Sequence, residues 1–159
     1  VQVMPPRSKQ LPQCRESITL KNAVGDLEFY VTVGFYDDQP RRPGEVFIHL
    51  AKEGSTLGGV TQALALAISQ GFHYGVPWRD FRKHMFYSSF APSGPSLDGS
   101  IVYPSLTHAI AHTVDMILER RAREEPVVTR QQSVPEPLDL PGVRYDDDHE
   151  SGSDAPQPA

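Results

Sequence analysis

One cysteine in 159 residues, Cys14, rules out any disulfide within the chain and fits a reducing, cytoplasmic setting. No apolar run approaches the ~20 residues that a membrane-spanning helix needs. Mean hydropathy is −0.40. The opening stretch VQVMPPRSKQLPQ has no apolar region of the kind a secretory signal carries. Basic residues are in deficit: 15 Lys and Arg stand against 20 Asp and Glu, a net charge of −5. A nucleic-acid binder's clustered basic face is therefore not expected. There is no internal repeat and no Ser-His-Asp set or paired-carboxylate pattern, so the familiar hydrolytic chemistries have no footing.

What charge there is divides the chain. Residues 124–159 hold nine acids and two arginines, a net of −7, while residues 1–123 hold 13 basic and 11 acidic residues, a net of +2. Three parts follow: a proline-rich arm over 1–14, a folded body over 15–121, and an acidic tail over 122–159. The tail repeats prolines (Pro126, Pro135, Pro137, Pro141, Pro156, Pro158) among Ser, Gln and Asp. Such a segment buries too little apolar surface to offset its ordering entropy, so arm and tail are expected to be disordered.

Within the body, LEFYVTVGFY alternates Leu27, Phe29, Val31, Val33 and Phe35 against Glu28, Tyr30 and Thr32, a strand period of two. ESITLKN before it and EVFIHLA after it read the same way. Asn22 to Asp26 is the expected turn between the first two strands, with Gly25 supplying positive φ. Helices then follow. The first, about Leu57 to Phe72, starts on a Ser55 or Thr56 cap and places Leu57, Val60, Leu64 and Ile68 on one face. Ala63, Ala65 and Ala67 let it lie close to the sheet. The second runs from Pro77, at the favoured first position, to about Tyr87. SSFAPSGPSLDGS is a loop, and a third helix over about 104–121 buries Leu106, Ile110, Val114 and Ile117 or Leu118. Strands first and helices after imply an α+β fold: a three-stranded antiparallel sheet covered by about three helices.

The stretch PGEVFIHLAKEGSTLGGVTQALALAISQGFHYGVPWRDFRKHM, with LPQCRESITLKNAVGDLEFYVTVGFYDD before it and FAPSG after it, resembles the TSCPD-type domain near the C-terminus of adenosylcobalamin-dependent (class II) ribonucleotide reductases. The resemblance covers about residues 11–119. It departs from the family beside Phe90, where Ser89 and Ala91 replace an Arg and a Glu. It does not extend to the reductase barrel. Ribonucleotide reduction in that family needs a thiyl-radical cysteine and a reducing cysteine pair, and this sequence offers Cys14 alone. The resemblance thus implies a non-catalytic part in deoxyribonucleotide synthesis: an accessory module of a reductase whose separate catalytic subunit binds adenosylcobalamin.

Four sets of residues are candidates for function. Lys52, Gly54, Ser55, Thr56, Gly58 and Gly59 form a glycine- and hydroxyl-rich turn at a helix start, able to hold a phosphate or carboxylate of a nucleotide or phosphorylated metabolite. It lacks the Gly-Lys-Ser/Thr of a P-loop and any Gly-x-Gly-x-x-Gly. The competing reading is capping plus close helix–sheet packing. Trp78, Phe81, Phe86, Tyr87 and Phe90, with Pro92, Ser93 and Gly94, are either core or a surface that docks on a larger enzyme. His108, His112 and Asp115 share a helix face at metal-ligand spacing. They have no HExxH and no obvious fourth ligand unless His73 or His84 joins, so an ordinary polar face is the competing reading. Arg79, Arg82 and Lys83 read as a solvated face, and Cys14 as an isolated thiol. Two other classes of function stay open: a stand-alone small-ligand or nucleotide binder, and an interaction protein that uses its acidic tail.

Overall fold

The computed structural model describes residues 8–51 and 55–124. The expected tail beyond 124 and the first seven residues of the arm lie outside them. Strands β1 (Ser17–Val24), β2 (Leu27–Phe35) and β3 (Pro43–Leu50) form an antiparallel sheet in the order β1-β2-β3. Helices α1 (Thr56–His73) and α2 (Trp78–Phe86) follow, then the short pair β4 (Gly94–Pro95) and β5 (Val102–Tyr103), then α3 (Leu106–Arg123). The α+β reading stands, with the two-residue strands of β4 and β5 as an addition inside the expected loop.

Register carries the alternation into three dimensions. Val33 lies between Ile18 and Val46, Val31 between Leu20 and Ile48, and Phe29 between Asn22 and Leu50. All of these side chains share one face, because facing residues in a ladder point to the same side. That face is buried under the helices. The opposite face keeps Tyr30 and Phe47 exposed. The β1–β2 turn is tighter than expected. Val24 pairs with Leu27, so only Gly25 and Asp26 turn the chain. Gly25 has φ of 60° while Asp26 has no positive φ, the pattern of a type II′ hairpin turn. Asn22 belongs to β1, not to the turn.

Helix α1 seals the outer edge of β3. Val46 donates its N–H to Ser69 Oγ at 2.9 Å, and Ser69 donates back to Val46 O at 3.2 Å. An exposed edge invites pairing with other chains, and covering it with a helix removes that hazard. This docking decides which face of α1 is buried: Thr61, Ala65, Ile68, Ser69 and Phe72. The expected stripe is corrected at Val60, which is 62% exposed. Ser55 caps α1 as expected, accepting from Gly58 N. Pro77 sits one position earlier than expected, as the N-cap of α2. Helix α3 buries Leu106, Ile110, Val114 and Ile117, matching the expected face, on a Ser105 cap.

Of the N-terminal arm, the described part is tied to the body. Lys9 N donates to His73 O at 2.8 Å, Tyr36 Oη donates to Lys9 O at 2.9 Å, and Arg15 of the body, paired with Glu45, donates to Pro12 O at 2.9 Å.

Candidate functional site

One end of the sheet gathers most of the candidate residues, and strand direction shows why. The Gly25 turn closes the end where β3 finishes at Leu50. Helix α1 runs back along β3, with Ser69 beside Val46, so its Ser55 end lies at the turn end. Helix α3 reaches Glu16 and Pro40 through Arg121 near its C-terminus, so its Ser105 end also lies toward the turn. Gly94 packs directly on Gly25, and Gly25 N donates to Pro95 O at 3.0 Å.

Lys52 and Gly54 lie outside the described residues. Ser55 and Thr56 are exposed. Gly58 N donates to Ser55 Oγ and Gly59 N to Ser55 O, so both amides are used within the first turn. A Cβ on Gly59 would meet nothing within 4 Å. Close packing against the sheet therefore does not explain Gly59. It leaves bare, accessible backbone in the first turn of a helix.

The aromatic set divides. Trp78 is buried and donates Nε1–H to Asp115 at 2.8 Å. Phe81 stands edge-on to Phe72, 5.8 Å between centroids. Phe86 lies against His108 at 4.3 Å, with the Arg82 guanidinium 3.9 Å from its ring. These three are packing residues. Tyr87 is 90% exposed and Phe90 46% exposed. Pro92, which follows a cis peptide bond, is half-buried and Ser93 is exposed. Of this set, Tyr87, Phe90 and Ser93 are the exposed members.

The three polar residues of α3 do not converge. Asp115 accepts from Trp78 and, at 2.6 Å, from Arg82. His108 stacks on Phe86. His112 Nδ1 lies 2.7 Å from Tyr103 Oη. Among the described residues no group of three or more His, Cys, Asp or Glu is placed to hold a metal ion. Arg82 is thereby a packing and ion-pairing residue, while Arg79 and Lys83 are exposed. Cys14 is exposed, and among the described residues no helix is long and apolar enough to cross a membrane.

Sequence reasoning missed a polar network between β1, the β4–β5 loop and α3. Asn22, only 6% exposed, accepts from Ala23 N at 2.8 Å and Leu97 N at 3.3 Å through Oδ1. Its Nδ2 donates to Thr113 Oγ1 at 2.8 Å and Tyr103 Oη at 3.1 Å. Tyr103 is 1% exposed, and burial raises its phenol pKa. Thr113 gives its own proton to Ala109 O. The signal was present in the alternation Ile18, Leu20, Asn22, Val24, which puts one amide among core-facing residues.

This network floors a half-enclosed cavity of about 310 Å³, lined by Leu20, Leu97, Ile101, His112, Met116 and Asp98 among others. At its rim Asp98 Oδ1 accepts from Ser96 Oγ at 2.7 Å, Ser100 Oγ at 2.7 Å and Ser100 N at 3.0 Å. The Ser96 and Ser100 bonds hold its carboxyl down to about 2, against 3.8 normally. A depressed carboxylate stabilises the folded turn above its unfolded pKa, and that contribution is lost as pH falls through the folded value. The Ser100 amide resonance is therefore expected to hold its position from neutral pH to about 3 and to move only near pH 2. A midpoint near the ordinary carboxylate value would show that the turn is not made.

Comparisons with known proteins find relatives of the residues that build this fold. A vitamin B12-dependent ribonucleotide reductase of Rhodopirellula baltica is 41% identical over 92 residues, 58% of this chain and 9% of the reductase. Those of Streptomyces clavuligerus and Streptantibioticus cattleyicolor are 38% identical over 96 residues, 60% of this chain and 10% and 16% of theirs. The matched region is a small part of each of these relatives. No solved structure matches the chain. The TSCPD domain family matches residues 6–123, which takes in every described element of the fold, and the chain belongs to that family.

Proposed function

We propose that the chain is a non-catalytic module of a B12-dependent ribonucleotide reductase, supporting deoxyribonucleotide synthesis together with a catalytic subunit on a separate chain. The observation that carries this reading is the match of the body to a segment of reductases named as vitamin B12-dependent. One property of this chain supports it. Its sequence holds one cysteine, so the dithiol chemistry of reduction belongs elsewhere. In this reading adenosylcobalamin binds to the catalytic subunit.

The contact surface in this reading is the turn end of the sheet: the bare first turn of α1 at Gly59 and the exposed Tyr87 and Phe90. Tagged protein captured from its native cells is expected to bring down a reductase catalytic subunit. Gly59→Trp is expected to weaken that capture at least tenfold while leaving the melting curve in place, because a side chain there meets nothing within the domain. Capture unaffected by the substitution removes the turn from the interface. Repeated captures without a reductase sink the reading and favour a stand-alone binder, the direction in which Ser89 and Ala91 depart from the family.

A further inference from the structure

We propose that the cavity between β1, the β4–β5 loop and α3 binds a neutral planar heterocycle with an N–H donor beside an acceptor, the class to which the bases of nucleosides belong. This site is separate from the glycine-rich turn and does not depend on the reductase reading.

The hydrogen-bond network itself dictates what the cavity offers. Asn22 Oδ1 is committed to two backbone N–H groups, which fixes Nδ2 as the end that faces Tyr103 and Thr113. Tyr103 Oη accepts from Asn22 Nδ2, and among the described residues the acceptor within reach of its own proton is His112 Nδ1, 2.7 Å away. Nδ1 is then an acceptor, and neutral His112 must carry its proton on Nε2. Among the described residues Nε2 has no protein partner and is not buried. Nε2 is thus the ring nitrogen left to donate, on a residue that lines the cavity. Asp98 presents the complement: Oδ1 takes three hydrogen bonds, while Oδ2 takes none among the described residues.

The rest of the lining selects for shape and charge. Leu20, Leu97, Ile101 and Met116 contribute apolar walls, and Leu97 and Met116 are 49% and 43% exposed. Apolar walls over a few placed polar groups are the usual composition of a small-molecule site. A flat ring suits such walls, and the volume of about 310 Å³ admits a nucleoside. Anions are disfavoured. Asp98 stays ionised down to about pH 2, and the one lining lysine, Lys21, is paired with Glu28 at 2.7 Å. Metal ions are also disfavoured, since His112 and Asp98 have no third ligand beside them. A ligand that accepts from His112 and donates to Asp98 uses both free groups at once. One that offers only acceptors leaves the carboxylate facing a lone pair.

The test is a titration of the isotope-labelled full chain with adenosine, guanosine, cytidine and thymidine separately, followed by amide resonances. At least one nucleoside is expected to shift Leu97, Ile101, Tyr103 and Thr113 saturably, while inorganic phosphate shifts none of them. Asp98→Asn keeps the Oδ1 acceptor for Ser96 and Ser100 but removes the charge, and is expected to raise Kd about tenfold or more. Leu97→Trp fills the mouth from an exposed position and is expected to abolish binding without lowering the melting temperature. The proposal is overturned if no nucleoside moves these amides, or if both variants bind as the wild type does.

Discussion

Gly94→Ala is expected to lower the melting temperature by roughly 10–20 °C. Gly94 has φ of 153°, a conformation L-residues rarely adopt. A Cβ there would lie 2.7 Å from Gly25 Cα and 2.9 Å from Gly25 N. Both neighbours are backbone, so no side chain can swing aside. Nor can the hairpin retreat freely, because Gly25 N is bonded to Pro95 O and the type II′ turn holds its φ of 60°. Strain and separation together cost on the order of 3 kcal/mol. Gly59→Ala supplies the contrast. It lies in a helix and its Cβ meets nothing, so that substitution is expected to stabilise by about 0.5–1 kcal/mol. Thermal unfolding of the two variants side by side checks both signs. A loss below about 1 kcal/mol for Gly94→Ala would mean the two turns do not touch.

That contact between two loops 69 residues apart in sequence shows where reading the chain succeeds and where it stops. The strands were legible because burial on one sheet face imposes a period of two, and Phe29, Val31, Val33 and Phe35 obey it without exception. Helix α3 was legible for the same reason, since it lies across the sheet and buries its most apolar stripe. Helix α1 misled because it docks on the edge of β3 as well as on the core. An edge needs a hydroxyl and small side chains near the backbone, so Ser69 and Ala65 turn inward and Val60 outward. The β4–β5 pair carries no period at all, since two residues cannot show one. The candidate docking set suffered from the opposite limit. Composition placed aromatics together, yet only three-dimensional packing separates buried Trp78 and half-buried Phe81 and Phe86, which pack on the core, from Tyr87 and Phe90, which are exposed. Asp115 shows the same thing for charge. Its spacing to His112 suggested a ligand face, and a tryptophan 37 residues earlier claimed it.

Asn22→Ala is expected to destabilise the domain by about 2–4 kcal/mol, more than the few atoms removed would suggest. The amide side chain is the hub of four hydrogen bonds across three elements: Ala23 and Leu97 backbone N–H, Tyr103 Oη and Thr113 Oγ1. Truncation leaves Ala23 N–H and Leu97 N–H without their acceptor beside a space no apolar group fills. Tyr103 and Thr113 keep their bonds to His112 and Ala109, so they lose only the donor from Asn22. Most of the cost should therefore fall on the β1–loop junction, not on α3. A double-mutant cycle separates these terms. Tyr103→Phe alone frees the Asn22 donor and the His112 acceptor, and the coupling between the two substitutions is expected to be about 1 kcal/mol. Denaturant unfolding of the four proteins supplies the cycle. Native-state hydrogen exchange should show the Leu97 amide opening first in the Asn22 variant, since it donates its bond only to that side chain. Were the full loss below about 1 kcal/mol, the amide would be solvated in the native state. The floor of the cavity would then be open to water, and the fixed tautomer of His112 would have no structural basis.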